Sequence, residues 1–228
     1  MHGEQETSQI PRVTCTALHA AMVAFAAWIY FGGGAEFLSS LAGRPHPDAG
    51  DLGRRIVLMC FAVAVFVRLT ITFFILLERR FAWSEFWGVT AAIFIYQVAF
   101  AVLAVCEASP LGATDLAAIA LFLAGSYLNT GSELQRKRFK EDPQNRGKLY
   151  TDGLFRYARH INYFGDVLWV ASWALVTRNI WALAVPILLT VGFVFGFIPP
   201  LTKHLRTKYG DEFEAWEKRT KAFIPFVW

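Results

Sequence analysis

Long apolar stretches dominate this sequence, and they restrict the folds that it can adopt. A helix that crosses a bilayer needs about 20 mostly apolar residues, and residues 13–34 supply a first stretch of that kind. Hydrophobic residues make up 55% of the 228 positions, which is above the share usual in a soluble domain. The sequence therefore predicts an integral membrane protein.

The hydropathy pattern predicts an all-α polytopic bundle of six or seven transmembrane helices in a single membrane domain, residues 1–228. Six spans are expected, at residues 13–34, 56–77, 86–105, 116–128, 161–176 and 180–198. The apolar part of the fifth span, residues 167–176, is too short to cross a bilayer alone. The fifth span must therefore begin inside the polar segment that precedes it, residues 153–166. The first stretch is long for a signal-peptide core, so we expect it to be retained.

The distribution of Lys and Arg orients these spans. With the N-terminus in the cytosol, 17 of the 22 Lys and Arg residues fall on the cytosolic side, in agreement with the positive-inside rule. Arg44, Arg54, Arg55 and Arg178 fall on the other side, and Arg68 lies within the second span. Both termini and the amphipathic C-terminal segment are therefore expected in the cytosol. We expect membrane lipids and no nucleic acid as partners, and the oligomeric state is left open.

Cysteine usage argues against a metal site. Cys15, Cys60 and Cys106 have apolar neighbours and no CxxC spacing. An odd number of cysteines in this pattern favours buried free thiols over a disulfide framework.

Residues 153–166, GLFRYARHINYFGD, gather polar groups where an apolar stretch begins. If a helix starts near residue 161, Asn162 and Asp166 lie four residues apart on one helix face, and Gly165 lets another group approach closely. Arg156 and Arg159 precede this face, and guanidinium groups suit phosphate oxygens. The pattern therefore predicts an anion-binding site at the start of the helix.

Two tyrosines of this motif, Tyr157 and Tyr163, can cover a planar ring. The motif as a whole therefore fits a large anionic cofactor with a planar head. The alternative is an interfacial belt of Arg and Tyr side chains at the membrane surface. Such a belt does not explain an Asn and an Asp on a helix that enters the membrane.

The segment NTGSELQRKRFK reads as one helix that leaves the membrane. Asn129, Ser132 and Gln135 recur every three residues with Glu133 alongside, and such a stripe must face protein, a cavity or a ligand. A basic run at residues 136–148 follows, and it includes Lys140, Arg146 and Lys148. An anchor on anionic lipid also explains the run, but the turn-rich EDPQNRG folds the chain back toward the motif.

The tail after Pro199 and Pro200 is basic and amphipathic and ends in FIPFVW. A helix along the membrane surface explains this pattern. A more specific hypothesis is that the tail forms a lid and brings Arg206 or Tyr209 into contact with the same cofactor.

The segments LQRKRFKEDPQNRGKLYTDGLFRYARHINYFGD and KYGDEFEAWEKRTKAFIP occur in order, and together they resemble the C-terminal region of the steroid 5-alpha-reductase superfamily, most closely its bacterial branch. The resemblance covers residues 129–228. It implies that these residues form a cofactor-binding region and that the helices of residues 13–128 form a lipid-substrate cavity. It implies a membrane reductase, in the bacterial inner membrane, that uses NADPH to reduce a conjugated carbon–carbon double bond of a steroid-like, isoprenoid or fatty enone.

By position, the resemblance places Asn129 and Glu133 near the cofactor, and Asn162 and Asp166 close to the nicotinamide. The full set of predicted cofactor-binding residues is Asn129, Glu133, Lys140, Arg146, Lys148, Arg156, Tyr157, Arg159, His160, Asn162, Tyr163, Asp166, Arg206 and Tyr209.

Three positions depart from the family pattern. Ile161 stands where the family has Pro, Asp166 where it has Glu, and Leu76 where steroid reductases carry a substrate-polarising Tyr. Another acid must therefore polarise the carbonyl as charge develops on its oxygen. We predict that Tyr96, next to Gln97 in the third span, is catalytic together with Asp166, and the other candidates are Glu36, Glu78 and Arg68.

Besides the reductase, two other hypotheses are open. Methyltransferases of the isoprenylcysteine and phospholipid type share an RHPxYxG motif and bind S-adenosylmethionine, but they carry a Glu-Glu pair where this chain reads TKHLRTK. Cations suit the phosphates of NADPH, whereas a cationic sulfonium gains from carboxylates. The third hypothesis is a non-enzymatic, lipid-binding membrane protein with a decayed cofactor site.

Overall fold

The computed structural model describes residues 2–41, 43, 50–104 and 107–228. Within these ranges every regular element is a helix. The α-helices are α1 (His2–Phe31), α2 (Gly34–Leu41), α3 (Leu52–Ile71), α4 (Trp83–Phe94), α5 (Phe100–Ala104), α6 (Ala113–Ser126), α7 (Ser132–Glu141), α8 (Ile161–Val176), α9 (Ala184–Val191), α10 (Ile198–Tyr209) and α11 (Asp211–Arg219). Arg44, Cys106 and the last residue of the predicted third span, Val105, lie outside the described residues.

Four helical runs of the described chain are long and apolar enough to cross a membrane. They are Gln9–Phe31, Leu52–Leu76, Trp83–Ala104 and Ile180–Tyr209, and they overlap the first, second, third and sixth predicted spans. The fourth predicted span corresponds to the 14-residue α6 and the fifth to the shorter apolar helix α8, with 16 residues. The prediction of an all-α polytopic membrane protein is confirmed.

Several of these runs contain π-helical turns, in which the backbone hydrogen bond spans one residue more than in an α-helix. In the described chain these turns are Thr72–Leu76, Ile95–Ala99, Tyr127–Gly131 and Gly192–Phe197. Turns of this kind are frequent at functional sites. Tyr96 and Asn129, two predicted site residues from separate parts of the sequence, both lie on π turns.

The sixth span extends further than hydropathy predicts. From a 3₁₀ turn at Ile180–Leu183 the chain continues through α9, a π turn and α10 to Tyr209 as one helical run. Pro199 and Pro200 occupy the first turn of α10, where the run passes from the π turn into the α-helix, and Pro is tolerated in a first helical turn. The double proline therefore does not end the run, which stops instead at Gly210 before α11.

The chain divides into two compact units. The first comprises Met1–Ala118 and Trp173–Ala182, and the second comprises Ile119–Ser172 and Leu183–Trp228. One core cluster of the first unit consists of Cys15, Phe73, Phe81, Phe86 and Ile93. One core cluster of the second unit consists of Phe155, Ala158, Ile161, Phe213 and Trp216. Residues 119–128 thus pack with the predicted cofactor-binding region.

Asp115 holds two arginines of the first unit. Its carboxylate accepts hydrogen bonds from Arg54 and Arg178 at 2.7 Å each, and both Arg54 and Asp115 are buried. Arg54 also donates to the Val176 carbonyl at 2.7 Å. Arg178 has a φ of 56°, which is uncommon for a residue other than Gly, Asn or Asp. The ion pair therefore holds the turn after α8 in a conformation that its sequence alone would not favour.

Candidate functional site

Two glycines bring the helices of the predicted site into backbone contact. A Cβ atom on Gly165 of α8 would lie 2.5 Å from the Asn129 backbone nitrogen and 2.7 Å from the Gly125 carbonyl oxygen. A Cβ on Gly125 would lie 2.6 Å from the Trp169 nitrogen. Only glycine permits helices to approach so closely. The group that approaches Gly165 is therefore the helix backbone, and this contact presses the π turn at Tyr127–Gly131 against α8.

A hydrogen-bonded network forms at this crossing. The Asn162 side-chain amide donates to Glu133 Oε1 at 2.9 Å, and Asn129 donates its amide to the Asn162 carbonyl at 3.2 Å. Glu133 also accepts a bond from Arg136, and Gln135 accepts one from the backbone of the motif at 2.9 Å. The polar stripe predicted on this helix thus faces the motif, and three predicted cofactor residues meet there.

Asn162 and Asp166 share one face of α8, which begins at Ile161 as predicted. Asp166 accepts a hydrogen bond from Trp169 Nε1 at 2.8 Å, so its carboxylate is oriented from within the helix. Both side chains are half-buried. The face therefore presents an oriented amide and an oriented carboxylate.

The basic run returns to the motif, as its turn-rich sequence predicts. Asp142 accepts a hydrogen bond from the Gln144 backbone at 2.9 Å, and Gly147 has a φ of 82° that lets the chain reverse. The ring centroids of Phe139 and Tyr150 then lie 4.9 Å apart. This packing holds the loop against α7.

The cations of the run differ in what they contact. Arg136 and Lys137 pair with carboxylates of their own helix, Glu133 and Glu141. Lys140, Arg146 and Lys148 are exposed, and no ion pair to a described carboxylate engages them. These three side chains can therefore bind an external anion without breaking an internal salt bridge.

The tail fixes Arg159 and Arg206 through one carboxylate. Arg159 donates to the Thr220 carbonyl at 2.6 Å and to Glu217 Oε1 at 3.2 Å. Arg206 donates to the other oxygen of Glu217 at 2.5 Å. The tail therefore does bring Arg206 to the motif, through a protein ion pair. Contact of either guanidinium with a cofactor phosphate stays a prediction.

His160 and Tyr163 belong to a ring stack. His160 is 3% exposed and lies 5.5 Å from the Tyr163 ring, which stacks on Phe193 at 4.5 Å. Burial, together with the positive charges of Arg159 and Arg136, lowers the pKa of His160 from 6.5 to about 4. Its Nε2 has no hydrogen-bond partner in the described chain. The motif therefore contains a buried, neutral imidazole whose Nε2 makes no hydrogen bond in the described chain.

The remaining predicted contacts of the second unit are those of Arg156, Tyr157 and Tyr209. The Arg156 guanidinium lies 4.8 Å from the centre of the exposed Tyr157 ring. Tyr209 packs against the core cluster of the second unit, with Lys208 Nζ 5.1 Å from its ring centre. Arg156 and Tyr157 are thus accessible, whereas Tyr209 is partly used in packing.

Tyr96 lies in the first unit, half-buried on the π turn of the third span. Its neighbour Gln97 bonds His19 Nε2 at 2.7 Å and the Ala62 carbonyl at 3.2 Å. His19 and Gln97 are each 1% exposed. His19 is missing from the sequence prediction, although a His inside an apolar span is costly in a membrane and signals a partner.

The donor set suits a dinucleotide. The exposed cations Lys140, Arg146 and Lys148, which no ion pair to a described carboxylate engages, can bind phosphates. The half-buried amide of Asn162 offers a polar group to a ring substituent. Contact of the buried His160 with the cofactor stays a prediction. The residues of the second unit therefore fit NADPH.

Comparison with known proteins identifies one family model and two kinds of relatives, steroid or sterol enzymes and a probable methyltransferase. A family model described as a protein of unknown function (DUF1295) matches residues 67–220. The Delta(14)-sterol reductase erg24 of Schizosaccharomyces pombe is 31% identical over 135 residues, which cover 50% of this chain and 30% of the reductase. The 3-oxo-5-alpha-steroid 4-dehydrogenase 1 of Bos taurus is 30% identical over 110 residues, 47% of this chain and 40% of the enzyme.

The probable O-methyltransferase ustE of Ustilaginoidea virens is 32% identical over 93 residues, 40% of this chain and 33% of that protein. The chain thus spans less than half the length of each of these three relatives.

Proposed function

Because the chain belongs to the DUF1295 family, within the steroid 5-alpha-reductase superfamily, we propose that it is a membrane-embedded, NADPH-dependent reductase. The proposed reaction adds a hydride to the β carbon of a lipid enone and a proton to complete the reduction of the double bond. The observation that carries this proposal is the network of Asn129, Glu133 and Asn162 at the start of α8. The same unit holds the exposed Lys140, Arg146 and Lys148.

The residues of the second unit have distinct roles in this proposal. Lys140, Arg146 and Lys148 bind the phosphates, since they are exposed and form no ion pair within the described part of the chain. Asn162 and Asp166 orient the nicotinamide, because their own side chains are held by Glu133 and Trp169. When bound, NADPH supplies the hydride.

The carbonyl of the substrate needs a proton donor as negative charge develops on its oxygen. Tyr96 remains our candidate for this role, because it lies half-buried in an apolar span. The apolar spans also exclude water, which strengthens a hydrogen bond to the developing charge. The lipid is proposed as a class only: a steroid-like, isoprenoid or fatty enone.

The alternative function is methyl transfer from S-adenosylmethionine, and the similarity to a probable O-methyltransferase favours it. Against it, α10 carries Lys203, Arg206 and Lys208, where a sulfonium-binding site would gain from carboxylates. A non-enzymatic lipid-binding protein is the third candidate.

One experiment separates the three candidates. The protein is purified in a mild detergent, and its melting temperature is measured with NADPH, NADH and S-adenosylmethionine. We expect NADPH to stabilise the protein, by about 2.7 kcal/mol at a concentration of 100 Kd. Stabilisation by the methyl donor alone would overturn the reductase proposal, and no stabilisation by any nucleotide would leave the lipid-binding candidate.

A matched pair of variants then tests the phosphate site. Lys148→Gln removes an exposed, unpaired cation of the loop, and Lys218→Gln removes an exposed cation of α11. We expect only Lys148→Gln to weaken NADPH, on the order of tenfold for one charge-assisted contact. Equal effects of the two variants would mean that general charge, and no defined site, attracts the nucleotide.

A further inference from the structure

A cavity in the first unit lies between the end of the first span and the start of the second. It has a volume of about 210 Å³ and lies among the C-terminal end of α1, the first turn of α2 and the first turn of α3. A water molecule takes about 30 Å³ in the liquid, so the cavity has the volume of roughly seven waters. It is smaller than the pockets of about 300–1,000 Å³ that bind drug-sized ligands. Its size therefore suits a small polar molecule or a head group.

Two residues that line this cavity each carry a buried polar atom that has no partner in the described chain. These atoms are the hydroxyl of Tyr30, a residue 2% exposed, and the Nε of Arg55. Arg55 Nη1 donates to the Tyr30 carbonyl at 2.7 Å, and its guanidinium lies 5.8 Å from the centre of the Phe31 ring. The guanidinium is therefore held in place while one donor stays unused. Buried polar groups are nearly always hydrogen-bonded, so both point to an acceptor that a ligand would supply.

A carboxylate completes the lining. Glu36, in the first turn of α2, lines the same cavity, and no ion pair joins it to Arg55. The cavity thus holds one positive and one negative side chain that do not neutralise each other directly. A ligand with an anionic group and an ammonium group would satisfy both, whereas a simple anion would leave Glu36 unfavourably buried beside it.

The surroundings of the cavity indicate where such a ligand comes from. The span Gln9–Phe31 ends and the span Leu52–Leu76 begins beside it. Phe31, Phe37 and Leu41 are 48%, 53% and 69% exposed. Exposed apolar side chains next to span ends are expected at the boundary between lipid tails and head groups. The cavity therefore lies at the depth of lipid head groups.

We propose that this cavity binds a phosphoethanolamine group. Its phosphate accepts hydrogen bonds from the Tyr30 hydroxyl and the Arg55 guanidinium, and its ammonium donates to Glu36. The group can belong to phosphatidylethanolamine of the bilayer or to a soluble phosphoethanolamine. None of these residues takes part in the proposed NADPH site, so the two proposals can fail separately.

The test measures the melting temperature of the purified full chain in neutral detergent. The probes are phosphatidylethanolamine, phosphatidylglycerol, phosphatidylcholine and soluble phosphoethanolamine, each titrated. We expect stabilisation by phosphatidylethanolamine and weaker effects of the anionic lipid and of the choline lipid, whose ammonium cannot donate to Glu36. Stabilisation by soluble phosphoethanolamine as well would identify the head group itself as the ligand. Lipid-only stabilisation would identify the bilayer as the source, and both results support the proposal.

Variants separate a binding role from a structural one. Tyr30→Phe removes a hydroxyl that has no partner among the described residues, so the ligand-free protein should keep its stability while the affinity for phosphatidylethanolamine falls about five- to tenfold. Arg55→Gln should weaken binding on the order of 10- to 100-fold, whereas the exposed Arg80→Gln should not. Glu36→Gln should abolish the preference for phosphatidylethanolamine over phosphatidylglycerol.

Two results would overturn the proposal. One is the absence of stabilisation by any phosphoethanolamine probe in the unmodified protein. The other is unchanged ligand-induced stabilisation in Tyr30→Phe and Arg55→Gln, because the ligand would then bind elsewhere.

Discussion

The side-chain amide of Asn162 donates to the carboxylate of Glu133 at 2.9 Å, and these two residues are 29 positions apart in sequence. One stands at the start of α8 and the other on α7. The bond fixes which way the Asn162 amide points, so it couples the polar stripe of one helix to the motif of the next. A cofactor that binds Asn162 would therefore respond to changes at Glu133.

Removing either partner should weaken NADPH. Asn162→Ala and Glu133→Gln are each expected to lower the affinity on the order of tenfold, because each removes or misorients one hydrogen bond near the nicotinamide. The measurement is the NADPH dependence of the melting temperature. Because the residues act as a pair, the double variant should lose less than the sum of the single losses.

Asn179→Ala is the matched control for this cycle. Its amide donates to the Leu103 carbonyl at 3.3 Å within the first unit. It should change the stability of the ligand-free protein without changing NADPH binding. Normal NADPH binding by Asn162→Ala would show that the network is structural only.

The contact between Gly125 and Gly165 predicts a large effect of a single methyl group. In Gly165→Ala the new Cβ would lie 2.5 Å from the Asn129 nitrogen, so α8 must move. We expect a loss of about 1–3 kcal/mol or more in the free energy of unfolding, measured by thermal denaturation. In Gly196→Ala the new Cβ meets nothing within 4 Å, and this control should be neutral or slightly stabilising. Equal stabilities of the two variants would contradict the close crossing.

The buried carboxylate of the first unit predicts a second stability contrast. Asp115→Asn leaves Arg54, which is 1% exposed, without its counter-ion and should cost about 3–5 kcal/mol. Glu85→Gln breaks the exposed pair with Arg79, whose side chains are 37% and 62% exposed, and should cost less than about 1 kcal/mol. Thermal denaturation in detergent measures both. A small loss in Asp115→Asn would mean that water reaches the cluster.

Local features of the second unit could be predicted from the sequence. The start of α8 at Ile161, the shared face of Asn162 and Asp166, and the reversal of the chain around Gly147 each depend on residues a few positions apart. Helix periodicity and turn chemistry act over that range. The sequence therefore predicted where polar groups emerge and which of them share a side.

Long-range pairings could not be predicted in the same way. Gln97 pairs with His19 across 78 positions, and Gly165 faces Gly125 because two helices happen to cross there. Likewise, the sequence contains many carboxylates, and nothing local shows that Glu217 engages Arg159 and Arg206 together. Such contacts depend on how the helices pack, and a single sequence does not encode that packing as a pattern.

His160 makes stability depend on pH. Burial lowers its pKa from the ordinary 6.5 to about 4 in the folded chain, so protonation favours the unfolded chain. The stability that the neutral imidazole contributes is fully present above pH 6.5 and is lost as the pH falls toward 4. Between pH 7.5 and pH 5 the loss should be about 2 kcal/mol. His160→Gln cannot titrate, so its melting temperature should fall less over this range, and parallel slopes would refute the assignment.

The proposed nucleotide site needs access to cytosolic NADPH, so it requires a defined orientation of the chain in the membrane. The charge pattern places the basic run and the tail inside and the start of α6 outside. Single cysteines at Lys140, Lys203 and Ala113 are suitable reporters, since all three side chains are exposed. Asp115 would not serve, because it is buried and ion-paired.

In a background without the three native cysteines, a membrane-impermeant thiol reagent should label position 113 only in right-side-out vesicles and positions 140 and 203 only in inverted vesicles. Each site is thus its own positive control in one preparation. Labelling of position 140 in right-side-out vesicles would place the unpaired cations away from the cytosol, and the proposed NADPH site would have to be abandoned.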